Sequence, residues 1–301
     1  MTRSINRREL IELGAKVGIV AAGGAMLSNG LIQKASAQES TPEAAMFPPE
    51  GLPVIDITLD DAGTISASTE STAGTNVIRV SAPEAMEFVT VALVMRPEEI
   101  TDEEFVAAFS SQDIPAWLHE SPVLSLEFEP GMQGGIGEIV AEVAAGTWHV
   151  ANLAAEPSFT TIEITGEPVT VAIEAAVEVA FDHHDFKVPG EVPAGDQVWQ
   201  VTNVDPVLHH MIIFSTPHLL TDEEMMGVLS ADPEASPVPG SPEPLAVFPA
   251  GGTGVISQGQ TIYQMVSLAP GTYTAVCFIS DPGEGMPPHF VMGMIESFTV
   301  V

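Results

Sequence analysis

An eleven-residue segment occurs twice in this chain. ITDEEFVAAFS at residues 100–110 returns as LTDEEMMGVLS at residues 220–230. AGTW at 145–148 returns as PGTY at 270–273, and SFT at 158–160 returns at 297–299. Self-similarity at such a period means that one structural unit has been built twice. Between these landmarks run short stretches with β-branched residues, at 54–59, 64–68, 76–81, 88–95, 124–128, 139–143, 147–153 and 159–164. Gly, Pro, Asp and Ser separate them, the pattern of a Greek-key β-sandwich of seven or eight strands. The repeated segment itself predicts one short helix per copy. Thr101 is its N-cap, Asp102, Glu103 and Glu104 suit the positive end of the helix, and Phe105 and Phe109 share a face. The expected fold is therefore all-β: two tandem sandwiches, each with one short helix insertion, over 54–166 and 167–301, joined near 166–169.

The offset between the copies is not constant. It grows from 120 to 125 around the Pro-, Gly- and Ser-rich stretch 231–252, then to 139 between residues 273 and 297. The second growth is a 14-residue insertion, and it falls in CFISDPGEGMPPHFVMGM, residues 277–294. This stretch holds the chain's only cysteine, Cys277, followed by His289, Met292 and Met294. Thiolate, imidazole and thioether together suit copper. The first copy acts as an internal control. There Asn152 stands in the place of Cys277, a tight turn at 154–157 replaces the loop, and Val89 and Thr90 stand in the places of His209 and His210. The scaffold needs neither Cys nor His at these positions.

Each residue also has a bland reading. A lone cysteine is often a small buried hydrophobe, and methionine often fills space. What favours a site is their joint occurrence, in order, in one copy only. The upstream donor lies in NVDPVLHHMIIF, residues 203–214. Neighbouring strand residues point to opposite faces. Val89, Val91 and Leu93 form the larger apolar series, so His209, which matches Val89, is the expected inward residue, with His210 the alternative. Met294 shares a face with Phe298 and Val300 and is preferred over Met292. FDHHDF at 181–186 reads as a hairpin turn rather than a second metal cluster. His119, His149 and His218 are isolated and receive no role.

The first 37 residues read as a secretory signal peptide: a basic start, a short apolar run at 17–26 and an A-x-A site at 35–37. Asn6 to Ile11 resembles the twin-arginine export signal. The polar, proline-rich stretch 38–53 reads as a tether. Export would place the chain in the periplasm, at the cell surface or outside the cell. Removing residues 1–37 takes five of the 8 Lys and Arg and two of the 41 Asp and Glu, leaving three and 39, a net charge near −36. Nucleic acid and anionic membrane surfaces are excluded as partners, whereas a cationic protein is attracted. The 45% hydrophobic content supplies a sizeable core, so the charge does not signal disorder.

A histidine opening a strand, a cysteine ending a later strand, and a histidine and methionine on the loop that follows resemble the blue-copper (cupredoxin) family. The resemblance covers residues 170–301, and 54–166 as scaffold alone. It implies a Greek-key sandwich holding one type 1 copper through His209, Cys277, His289 and a weak axial Met294. It further implies one-electron transfer to a redox partner, with the His289 edge as electron exit, shielded by Met286, Pro287, Pro288 and Phe290. Eleven residues separate Cys277 from His289, more than most members have. Two-domain oxidases and reductases of this family carry H-x-H pairs and a histidine beside the cysteine. Here Val276 and Phe278 flank Cys277 and no H-x-H occurs, so a carrier is expected and not an enzyme. The alternative is a non-redox copper carrier or a copper-free binding module.

Overall fold

The computed structural model describes residues 47–110, 114–153, 157–229, 245–283 and 285–301. The expected signal peptide, most of the tether, most of the expected turn at 154–157 and the first part of the 231–252 loop lie outside the described residues.

Residues 54–169 form eight strands: β1 (Val54–Leu59), β2 (Ile65–Ala67), β3 (Glu70–Ser81), β4 (Val89–Val94), β5 (Val123–Phe128), β6 (Ile136–Val143), β7 (Gly146–Asn152) and β8 (Ser158–Val169). β1 pairs with β2 and, in parallel, with β3, and β3 pairs with β6. β5, β4, β7 and β8 follow one another antiparallel in a second layer. Residues 177–300 repeat this order with β9 (Val177–Phe181), β10 (Phe186–Lys187), β11 (Glu191–Val192), β12 (Gly195–Asn203), β13 (His209–Thr216), β14 (Phe248–Ile256), β15 (Thr261–Leu268), β16 (Gly271–Val276) and β17 (Ile295–Val300). β10, β9, β12 and β15 make one layer, and β14, β13, β16, β17 and β11 the other. The fold is all-β, as the alternation in the sequence implies.

The repetition extends to single hydrogen bonds. Helices α1 (Asp102–Ser110) and, in the second half, Asp222–Leu229 each begin with a reciprocal cap. The Glu104 N–H donates to Thr101 Oγ1, and Glu104 accepts from the Thr101 N–H. Thr221 and Glu224 do the same, so two otherwise orphaned donors are satisfied at each helix start. The Trp148 indole donates to the Ala144 carbonyl at 2.9 Å, and the Tyr273 hydroxyl donates to the Ala269 carbonyl at 2.8 Å. Both rings thereby pin the same corner of their sandwich.

Each half was expected to carry one helix. Among its described residues the first half carries three, adding α2 (Ala116–Glu120) and α3 (Pro130–Gln133) to α1. Pieces of five and four residues complete too few turns to show a helical period. The helix Asp222–Leu229 is α4. Under it Phe214, Leu220, Met225 and Leu229 pack with Val276, Phe290 and Ile295, so the outer face of the β13–β16–β17 layer is covered as well. Around the expected joint, β8 continues as strand to Val169, which pairs with Gly74. No helix among the described residues is long and apolar enough to cross a membrane.

The halves meet through equivalent strands. β5 pairs antiparallel with β14 at Leu124–Ile256, and β6 pairs antiparallel with β15 at Ala141–Ile262 and Val140–Tyr263. An element paired antiparallel with its own counterpart implies a local two-fold relation. One apolar core runs through both halves, from Ile55 and Trp148 to Trp199 and Phe298.

Candidate metal centre

The site begins with an asparagine. β12 ends at Asn203, whose buried amide donates to the carbonyls of Val207 and Ile256 at 2.8 and 2.9 Å. Its Oδ1 accepts the Asp205 N–H. These three bonds fix the proline-containing turn so that β13 opens at His209, in the middle of its layer. Cys277 directly follows β16, the strand that pairs with β13 at Ile212–Val276.

The long loop from 277 to 294 is pinned at its neck. The His289 N–H donates to the Ile279 carbonyl at 2.7 Å, and the Phe290 N–H to the Cys277 carbonyl at 2.9 Å. Ser280 and Pro288 form a β-bridge. The insertion is thus an excursion that takes in 281–283 and 285–287, while His289 stands beside Cys277 as if the loop were short. A 3-10 turn, His289–Met292, then leads into Met294, whose N–H donates to the His289 carbonyl and whose carbonyl accepts from the Cys277 N–H.

The structure brings His209, Cys277 and His289 together, all three with no solvent exposure. Cys277 Sγ lies 3.7 Å from His209 Nδ1 and 3.5 Å from His289 Nδ1, and the two nitrogens are 3.0 Å apart. A point equidistant from the three lies about 2.0 Å from each, the bond length that first-row metals make with imidazole. Met294 is fully buried in the same core, whereas Met292 is 42% exposed. His210 turns the other way. Its Nε2 accepts the Phe278 N–H at 2.9 Å, and its Nδ1 faces Glu127 of the first half at 4.0 Å.

Electrostatics leave the donors uncharged. Burial lowers the His209 imidazole to about 4, against the opposing pull of Asp205. Burial, with the nearby charges of His209 and His184, lowers His289 well below its usual value. Both rings are neutral at physiological pH, so each has one nitrogen lone pair to offer a metal. Burial pushes the Cys277 thiol up to about 12, against the backbone N–H groups of His210 and Ile279. A thiol held protonated and out of water is chemically inert. Native metal-free protein is therefore expected to leave a disulfide-type thiol reagent unreacted for hours and to consume one equivalent on unfolding in guanidinium. Rapid reaction of the native protein would show that Cys277 is accessible.

Two carboxylates stand behind the histidines. His209 Nε2 lies 3.2 Å from Asp205 Oδ2, which also accepts the His184 N–H at 2.8 Å. Burial works to raise the Asp205 carboxyl, but these two partners outweigh it and hold it below its usual value. Asp281, on the excursion, bonds His184 Nε2 at 3.2 Å and sits 3.3 Å from His289 Nε2. His184 lies in the turn expected of FDHHDF: His183 and His184 both have φ of 54°, and the Asp182 N–H donates to the Asp185 carbonyl. Its ring nevertheless lies edge-on against His289, with centroids 4.5 Å apart.

His119 also gains a role that sequence reasoning did not assign. From α2 in the first half, its Nδ1 accepts the Leu208 N–H at 3.0 Å and so supports the turn before His209. Burial lowers its imidazole to about 4. The unfolded chain, with histidine near 6.5, binds a proton between those values that the folded chain refuses. Stability is thus lost as pH falls from about 6.5 to about 4, by on the order of 3 kcal/mol from this residue. Urea unfolding of the copper-free protein at a series of pH values should show a shallower slope in His119→Gln. An unchanged slope would contradict this.

One expectation is corrected. His289 was expected to offer an exposed ring edge, but it is fully buried, with Asp281 and His184 over its outer nitrogen. Exposed apolar surface begins beside it, at Met286, Val291 and Met292. His149 and His218 stay away from the centre: His149 packs on Phe105, and His218 pairs with Glu224.

No family model matches the chain, and no curated protein matches it. Among solved structures, dithionite-reduced auracyanin from Roseiflexus castenholzii is 20% identical with a TM-score of 0.26, covering 41% of this chain and 94% of that one. Auracyanin A, a "blue" copper protein from Chloroflexus aurantiacus, is 20% identical with a TM-score of 0.25, covering 45% and 100%. The McoA multicopper oxidase of Aquifex aeolicus is 11% identical with a TM-score of 0.21, covering 83% and 66%. Scores this low leave the fold to rest on the strand pairings themselves.

Proposed function

We propose that this chain is an exported one-electron carrier built on two tandem cupredoxin-like sandwiches, 54–166 and 167–301. In this reading His209 Nδ1, Cys277 Sγ and His289 Nδ1 would hold one type 1 copper, with Met294 as a weak fourth donor. The observation that carries it is the buried triangle of one sulfur and two nitrogens, with an equidistant point at metal-bond length. The donor chemistry fits: two neutral imidazoles, a thiol that becomes thiolate on loading, and a thioether are the set that selects copper.

Copper supplies the one-electron couple, and the chain's residues keep the site rigid and dry. The neck bonds at Ile279 and Cys277 hold His289 in place. Asp205 orients the His209 ring from behind, as carboxylates behind ligating histidines do. The backbone N–H groups of His210 and Ile279 point at the sulfur and temper its charge. A site whose donors already stand in position reorganises little when its charge changes. Electron exchange would pass through the apolar surface at Val291 and Met292, next to His289, toward a cationic partner drawn by the acidic chain.

The test is redox cycling. Copper-loaded protein should bleach on reduction and recover its colour on reoxidation, by one electron per chain, without losing metal. Protein that binds only Cu(I), or sheds copper in the cycle, would instead be a copper carrier.

A further inference from the structure

The second half differs from the first in more than a copper triangle. It also adds His184 and Asp281, and both converge on the far side of His289. In the first half the corresponding turn, 60–63, has no histidine, and its Gly63 carbonyl accepts the amide of Asn152, the counterpart of Cys277. The scaffold therefore always docks this turn against the end of β7 or β16. In the second half the docked turn presents an imidazole. The excursion at 281–287 presents a carboxylate to the same place.

Asp281 Oδ1 lies 3.2 Å from His184 Nε2 and 3.3 Å from His289 Nε2, and the three residues offer donor atoms that all lie within 4.8 Å of one another. His289 Nε2 is buried and makes no hydrogen bond, and the nearest carboxylate oxygen, at 3.3 Å, is not aligned to accept one. A buried nitrogen without a partner is costly unless something occupies the space before it. His184 and Asp281 are only partly buried, 29% and 23% exposed, which leaves room for water to complete a coordination shell. Two nitrogens and one carboxylate suit a divalent first-row cation.

We propose that His184, Asp281 and His289 form a second cation site, for Zn(II) or Cu(II), sharing the His289 ring with the copper. The proposal rests on the copper reading. It accounts for a feature that reading leaves unexplained, the length of the Cys277–His289 loop. Binding there replaces the Nε2 proton of His289, which passes to solvent, and the ring then joins both ions. A cation on one nitrogen withdraws electron density from the other, so occupancy shifts the copper potential. The net charge near −36 of the exported chain concentrates such cations around it.

The test titrates Zn(II) into the full copper-loaded chain, with metal content measured after gel filtration. Wild type should retain one zinc per chain, and the copper potential should move as it binds. His184→Asn, which keeps a residue at home at positive φ, and Asp281→Asn should each weaken zinc binding at least 100-fold. His218→Asn, remote from the site, should not alter it. Copper-loaded wild type that retains no zinc, or variants that retain as much as wild type, would overturn the second site and leave Asp281 as a hydrogen-bond acceptor only. The visible copper band, read on the same samples, reports the first site separately: its absence would overturn the copper reading instead.

Discussion

Saturating copper(II) is expected to raise the unfolding midpoint of the purified chain by on the order of 10 °C, and Cys277→Ser should remove most of that gain. The donors are buried and already convergent in the folded chain, whereas unfolding scatters them across 80 residues of sequence from His209 to His289. A ligand that binds only the folded state stabilises it by about 4 kcal/mol at a thousandfold excess over its Kd. For a chain of this size each kcal/mol moves the midpoint by about 2–4 °C. Serine keeps the volume but loses the soft donor. Scanning calorimetry with and without copper reads both proteins. Equal shifts in the two would mean that copper stabilises through some other site.

Gly254→Ala is expected to destabilise the chain by about 3 kcal/mol and to weaken copper binding with it. Gly254 lies on β14 where the halves meet. A Cβ there would sit 2.1 Å from the Ser125 carbonyl oxygen on β5, which is backbone and cannot swing aside. The strands would have to part, and with them the bonds from Val255 to the Ser125 hydroxyl and from Val123 to the Ser257 hydroxyl. The cost reaches the candidate site because Ile256, two residues on, pairs with His209. Gly227→Ala, on α4 with open space around it, is the control and should be neutral or mildly stabilising. Urea unfolding separates the two. Equal stability of both variants would mean that the halves are not held by this seam.

The same seam bears on why the first half is retained. The first half is not inert packing. His119 holds the turn before His209, and Glu127 faces His210, whose ring in turn accepts the N–H next to Cys277. These contacts tie both donor strands to the neighbouring copy.

Much of this architecture was legible because it was written twice. The repeated TDEE segment announces the capped helices, and alignment of Val89 with His209 gives the strand phase that turns His209 inward. Such inferences use local period and internal comparison, which a single chain carries. What escaped depends on long-range docking. No local pattern says that the His184 turn lies against His289, or that His119 of one half supports the other. The burial of His289 escaped for the same reason: the neck bonds that fold 281–287 over it join residues whose types, Ile279, Ser280 and Pro288, carry no signal of pairing. The short helices 116–120 and 130–133 escaped because one turn has no period.

The central claim is that His209, Cys277 and His289 share one copper, and a copper(II) titration followed in the visible range tests it most directly. Wild type should develop an intense thiolate-to-copper charge-transfer band that saturates at one equivalent, and Cys277→Ser should develop none. A colourless wild-type protein at several equivalents of copper, or an equal band in Cys277→Ser, would contradict it.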